Sequence, residues 1–266
     1  MILNFGGELC SPPKFFPNFY ICSIMTNNKN VLILGANSDV AKQAIKLYLQ
    51  KGYFVMAASR DLQSIEMFLE VNKLDKTKVS LLFFDAADFS SHQKFYDELP
   101  AKPNIVVYAA GFLIQNEQAF HDFDSTFQMM KVNYAGAVSI LNIIAFDKAN
   151  KNLERIIGLS SLSGVRGRKS NFVYGSTKSA FTQYLAGLRQ ELSSRNIKVN
   201  ALVIGYINTK INQGLELHKN LIMEPDYVAK HIVEAGNSFT IVPNWKWKVI
   251  YCILKILPER LVSKLP

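Results

Sequence analysis

The sequence predicts an α/β chain folded as one doubly wound parallel sheet, and three observations carry that expectation. From Asn30 onward, short apolar runs that stop at glycine or a small polar residue alternate with longer stretches of helical period. The 266 residues are 49% apolar, enough to bury one sizeable core. No internal repeat or shift of composition marks a second domain.

The elements follow in order. NVLILG reads as a buried strand, and DVAKQAIKLYLQKG as a helix with Val40, Ala44, Leu47 and Tyr48 at helical spacing and a glycine stop. YFVMAAS is a second strand, LQSIEMFLEVN a helix and VSLLFFD a third strand. A short helix near SSHQKFYDEL precedes the fourth strand, NIVVYAAG, and a long helix is expected from Ser125 to about Ala145. ERIIGLSS is a fifth strand, 174–194 a long helix and IKVNALVIG a sixth strand. EPDYVAKHIVEAG is a helix with proline in its first turn, and FTIV closes the sheet. In such a sheet ligands sit at the carboxyl ends of the strands. Those ends are Gly35, Ser59-Arg60, Asp85, Ala109-Ala110-Gly111, Ser160-Ser161 and Gly205.

Chemistry concentrates there. LGANSDVA places Gly35, Asn37, Ser38, Asp39 and Val40 between the first strand and its helix, where backbone N–H groups and the helix dipole can hold a pyrophosphate. Only Gly35 of the usual three glycines is present; the bland alternative is a tight turn capped by Ser38 or Asp39. Tyr174 and Lys178 stand four residues apart, neighbours on one helical face. Ser161 lies thirteen residues before Tyr174, with Ser160 and Ser163 as competing hydroxyls, and Asn133 lies in the helix after the fourth strand.

Taken together, GANSDVA, Asp85, AAG, VNYAG, LSS, YGSTK and IGYINT resemble the short-chain dehydrogenase/reductase family from Asn30 to about Val242. The resemblance implies a Rossmann-like fold and hydride transfer between a nicotinamide and a carbonyl or alcohol. It implies Tyr174 as acid/base, Lys178 as the cation that favours the phenolate and binds the nicotinamide ribose, Ser161 as the holder of the substrate oxygen, and Asn133 as support for a proton-relaying water. It also brings Ala86, Ile207 and Thr209 into the expected cofactor site, beside Ser59, Arg60, Asp85, Ala109, Ala110 and Gly111. Tyr108-Ala109-Ala110-Gly111 departs from the family's two asparagines, and Ile204 replaces a usual proline. In AASRD, Arg60 favours NADP(H) over NAD(H), since arginine accommodates a 2′-phosphate where an acidic residue would hold the 2′-hydroxyl.

The flanks differ from this unit of 30–243. Residues 1–29, rich in Gly, Pro and Phe, lack a basic start and an unbroken apolar core, so they read as an ill-ordered extension rather than a signal peptide. The last segment, 244–266, carries Lys246, Lys248, Lys255, Arg260 and Lys264 against Glu259, with both tryptophans at its start. It reads equally as a basic amphipathic helix in a membrane interface and as a helix folded over the substrate pocket or into a dimer. The tail is similar to those of short-chain enzymes acting on polyprenyl-linked keto sugars, the decaprenylphosphoryl ribose epimerase reductase subunit type.

Net charge is +9, but the lysines are dispersed, which argues against nucleic acid. No apolar run reaches the ~18 residues of a membrane span. Three cysteines at Cys10, Cys22 and Cys252 make no metal spacing and fit a reducing cytoplasm, with the inner membrane face as the site if the tail binds lipid. A homo-oligomer is expected. The competing function class is a silent nucleotide-binding or membrane-peripheral scaffold, in which a paired phenol and ammonium have no task.

Overall fold

The computed structural model describes residues 29–209 and 219–264. The extension expected over 1–29 lies outside them save for Lys29, as do Cys10, Cys22 and much of the short loop after Thr209.

In chain order the elements are β1 (Asn30–Leu34), α1 (Asp39–Gln50), β2 (Phe54–Ser59), α2 (Gln63–Val71), β3 (Val79–Phe83), α3 (His92–Asp97), β4 (Ile105–Tyr108), α4 (Asn116–His121) and α5 (Phe123–Met130). A π-helical turn, Lys131–Ala135, joins α5 to α6 (Gly136–Phe146). Then come β5 (Arg155–Ser161), α7 (Phe172–Glu191), β6 (Lys198–Ile204), α8 (Pro225–Val233), β7 (Thr240–Ile241), α9 (Trp245–Ile256) and α10 (Glu259–Val262).

Seven strands form one sheet in the order β3-β2-β1-β4-β5-β6-β7, every pair parallel. The order reverses between β1 and β4, so their carboxyl ends flank the switch-point crevice. Alternation along the strands divides the core in two. Val31, Ile33, Val55 and Ala57 pack with α1, α2, α8 and α9, while Leu32, Leu34, Met56 and Ala58 pack with α3, α6 and α7. Both faces are covered, which is why these strands read as continuous apolar runs.

This packing settles the place of two apolar stretches. The helical stretch Phe123–Phe146 has the length and the mean hydropathy, 1.4, of a candidate membrane span, although no unbroken apolar run reveals it. Half of it is buried, and Ala137, Ile140, Leu141 and Ile144 share a core with the strands, so its apolarity serves the sheet. The tail, read equally as a membrane-interface helix and as one folded over the pocket or into a dimer, is docked on the nucleotide fold. Trp247 and Leu254 are each 5% exposed and belong to the core of α1 and α8. Arg166 anchors the far end of α9 through bonds to the carbonyls of Leu254 (3.0 Å) and Leu257 (3.3 Å), a cation satisfying a helix C-terminus.

Candidate active site

The carboxyl ends of β1, β2, β4, β5 and β6 open into one cavity of about 750 Å³. Gly35, Asn37, Ser38, Asp39, Val40, Ser59, Arg60, Asp85, Ala86, Ala109, Ala110, Gly111, Ile207 and Thr209 all line it, together with Ser161, Tyr174 and Lys178. Asn133 does not; it stands behind the wall.

At the β1–α1 turn the backbone bends sharply. Gly35 has φ +86°, and a β-carbon there would run into the backbone of Ala109 and Ala110. Glycine is therefore required for β1 and β4 to approach this closely. Ser38 is the cap of α1, its Oγ accepting from the Ala41 N–H at 3.1 Å, and Asp39 occupies the first helical turn. Asn37 donates through Nδ2 to Asp61 at 3.4 Å, while its buried Oδ1 has no partner among the described residues. The N-terminus of α1 and a loop with no side chain at Gly35 fit a dinucleotide laid across this turn.

At the end of β2, Ser59 is buried and Arg60 exposed. Asp61 Oδ1 accepts from the Ser64 N–H at 3.0 Å, so its carboxylate caps the entry to α2. Asp85, after β3, similarly accepts from the Ala87 N–H, and its carbonyl meets the buried His92 ring at 3.0 Å.

The chemistry lies between β5 and α7. Of the three serines, Ser160 is tied to α7 through the Thr182 hydroxyl at 2.6 Å, and Ser163 accepts from Asn171 at 2.8 Å. The Ser161 Oγ accepts from the Ser163 N–H at 3.2 Å and lies beside the Tyr174 phenol, which it stabilises in the ionised form. Burial acts the other way and pushes Tyr174 up to about 12. Lys178 is buried, its Nζ donating to the Leu159 carbonyl at 3.1 Å and lying 5.9 Å from the Tyr174 ring centre. Burial pulls it down to about 8. Desolvation is the largest influence on both groups.

Asn133 is a clamp. Its Oδ1 accepts from the Phe112 N–H at 2.8 Å, and its Nδ2 donates to the Phe112 carbonyl at 2.8 Å and to the Thr177 hydroxyl at 3.0 Å. It thereby ties the loop after β4 to the helix that carries Tyr174 and Lys178. The residue that departs from the family's asparagine, Tyr108, is also a tie. It is fully buried, and its hydroxyl donates to the Val132 carbonyl at 2.6 Å, satisfying a backbone acceptor within the π turn.

Sequence reasoning missed the far wall: Gln115, Gln128, Arg168, Asn171, Tyr206 and Trp247. Arg168 Nε and Asn171 Oδ1 are buried without partners among the described residues, a donor and an acceptor at the cavity. Asn171, three residues before Tyr174, was within reach of the sequence; Trp247 was not, because only tertiary packing brings it over Gly205.

A family model described as short chain dehydrogenase matches residues 29–220. An uncharacterized oxidoreductase of Mycobacterium tuberculosis is 23% identical over 242 residues, covering 89% of this chain and 96% of that protein. An 11-beta-hydroxysteroid dehydrogenase-like protein of Arabidopsis thaliana is 25% identical, covering 92% of this chain and 86% of that one. Among solved structures, a short chain dehydrogenase from Burkholderia cenocepacia in complex with NADP superposes with a TM-score of 0.75 at 18% identity, covering 88% and 96%.

Proposed function

The chain belongs to the short-chain dehydrogenase family, and on that premise we propose that it interconverts a secondary alcohol and a ketone with NADP(H) as preferred cofactor. The observation that carries the reading is the convergence of Ser161, Tyr174 and Lys178 in one cavity that the Gly35 turn also lines. The bound nicotinamide supplies or accepts the hydride. In the reductive direction the Tyr174 phenol, neutral because burial keeps its pKa high, delivers its proton to the carbonyl oxygen. Ser161 holds that oxygen through its hydroxyl. Lys178, charged below about pH 8, holds the ribose and favours the phenolate left behind. Asn133 is a positioning residue, since it fixes α7 against the loop after β4.

Arg60 supports the choice of NADP(H): it is exposed at the cavity rim while Asp61, the carboxylate that could take a 2′-hydroxyl, is engaged in capping. The relative of known structure with NADP bound agrees with that choice. Gln115, Gln128, Arg168 and Asn171 suit an oxygen-rich substrate, so keto sugars, free and lipid-linked, head the substrate panel. The test is NADPH oxidation followed by absorbance across ketones and keto sugars. No turnover of any carbonyl or alcohol, with NADPH bound, would leave the silent nucleotide-binding reading in its place.

A further inference from the structure

Helix α9 is amphipathic in an unusual sense, because both of its faces are apolar and only one is covered. Trp247 and Leu254 point into the core, with Ile250 and Tyr251 packed beside them. On the opposite side Trp245 is 70% exposed, Val249 50%, Ile253 47% and Ile256 81%. At 3.6 residues per turn these four positions, with exposed Cys252 between them, make one continuous stripe. Lys248 and Lys255 are exposed along one edge of the stripe, half-buried Lys246 on the other edge donates to the Asn220 carbonyl at 3.1 Å, and the first turn of α9 contains no acidic residue.

We propose that this outer face of α9 docks on an anionic lipid surface. The charge pattern selects the occupant. A tryptophan and aliphatic residues provide shallow insertion, and the exposed ammonium groups of Lys248 and Lys255 meet lipid phosphates. A second copy of the chain fits poorly. An antiparallel two-fold contact through the stripe would bring Lys248 and Lys255 of both copies together, and five side chains of one helix fall short of the roughly 800 Å² per partner of a stable interface. The helix is also rigidly presented, held by Trp247 at one end and by Arg166 at the other. Since Trp247 lines the cavity, docking would put the cavity wall about one helix diameter, ~10 Å, from lipid. The inference concerns a surface and stands whether or not the proposed reaction is correct.

Vesicle sedimentation tests it with the full chain. Wild type should pellet with phosphatidylglycerol–phosphatidylcholine vesicles and remain in solution with phosphatidylcholine alone. Val249→Asp combined with Ile253→Asp should weaken partitioning at least tenfold. Lys248→Glu combined with Lys255→Glu should do the same by charge alone, and being fully surface-located it guards against misfolding of the first variant. Unchanged circular dichroism melts show that both remain folded. Wild type that stays in the supernatant at low salt, or variants that pellet as well as wild type, would overturn the proposal. So would a wild-type dimer that the Val249→Asp, Ile253→Asp variant converts to monomer, since the stripe would then be a contact between copies.

Discussion

Replacing Tyr174 by phenylalanine keeps the ring in its place beside Ser161 and removes the proton that the proposed reaction needs. Turnover should fall by roughly 10²–10⁴-fold with NADPH binding retained, read by steady-state rates and a binding titration. At Lys178 the prediction concerns stability. Burial lowers its pKa from the ordinary 10.5 to about 8, so between these values the unfolded chain binds the proton that the folded chain has lost. Stability from this group therefore rises with pH across that window. Tyr174 has the opposite sign: raised from 10.0 to about 12, it withdraws stability as pH climbs through that upper range. In Lys178→Met the rise disappears, so melting temperatures taken from about pH 7 to 10 should move in wild type's favour as pH increases, by a few degrees in total. A constant gap would mean that Lys178 is not held below its ordinary pKa. The spacing of Tyr174 and Lys178 was legible in the sequence because helical geometry is local. The desolvation that governs their protonation was not, since it depends on how deeply β5 and α7 lie in the fold.

The turn between β2 and α2 sets the cofactor prediction. Arg60→Asp replaces the rim cation with a second carboxylate next to Asp61, which already caps Ser64. The preference should shift from NADPH toward NADH by at least tenfold, measured by titrating both cofactors against both proteins. Equal affinity of wild type for the two would remove Arg60 as the discriminator. Elements were the most legible level of this chain. Strands such as NVLILG and ERIIGLSS could be read because burial on both faces leaves them uniformly apolar. Helix boundaries were less so: the expected helix from 174 to 194 begins at Phe172 and ends at Glu191. The long helix expected from Ser125 to Ala145 is interrupted by the π turn at Lys131–Ala135. Nothing in KVNYA announces that turn. It is held by a distant partner, the Tyr108 hydroxyl on the Val132 carbonyl, and it contains Asn133.

For the whole molecule, the tail and the sheet form one body. The Trp247 ring stacks edge-on against Tyr206 at 5.2 Å, donates to the Leu221 carbonyl at 2.9 Å and covers Gly205, where a β-carbon would overlap it. Trp247→Ala should cost about 3–5 kcal/mol, seen as a lower melting temperature, and should raise KM for substrate more than it lowers kcat. A variant with unchanged melting and KM would show that α9 is an appendage. That composition was ambiguous because one helix carries two apolar faces, and sequence cannot say which one meets the core. The order of synthesis gives the docked helix a further meaning. The Gly35 turn and β1 to β3 are all made early, whereas Trp247 emerges only after every strand of the sheet. A nascent chain can therefore assemble its nucleotide-binding half while the substrate side still lacks a wall. The substrate side has that wall only once α9 has been made and lies over Gly205, so the sheet alone does not supply the whole site.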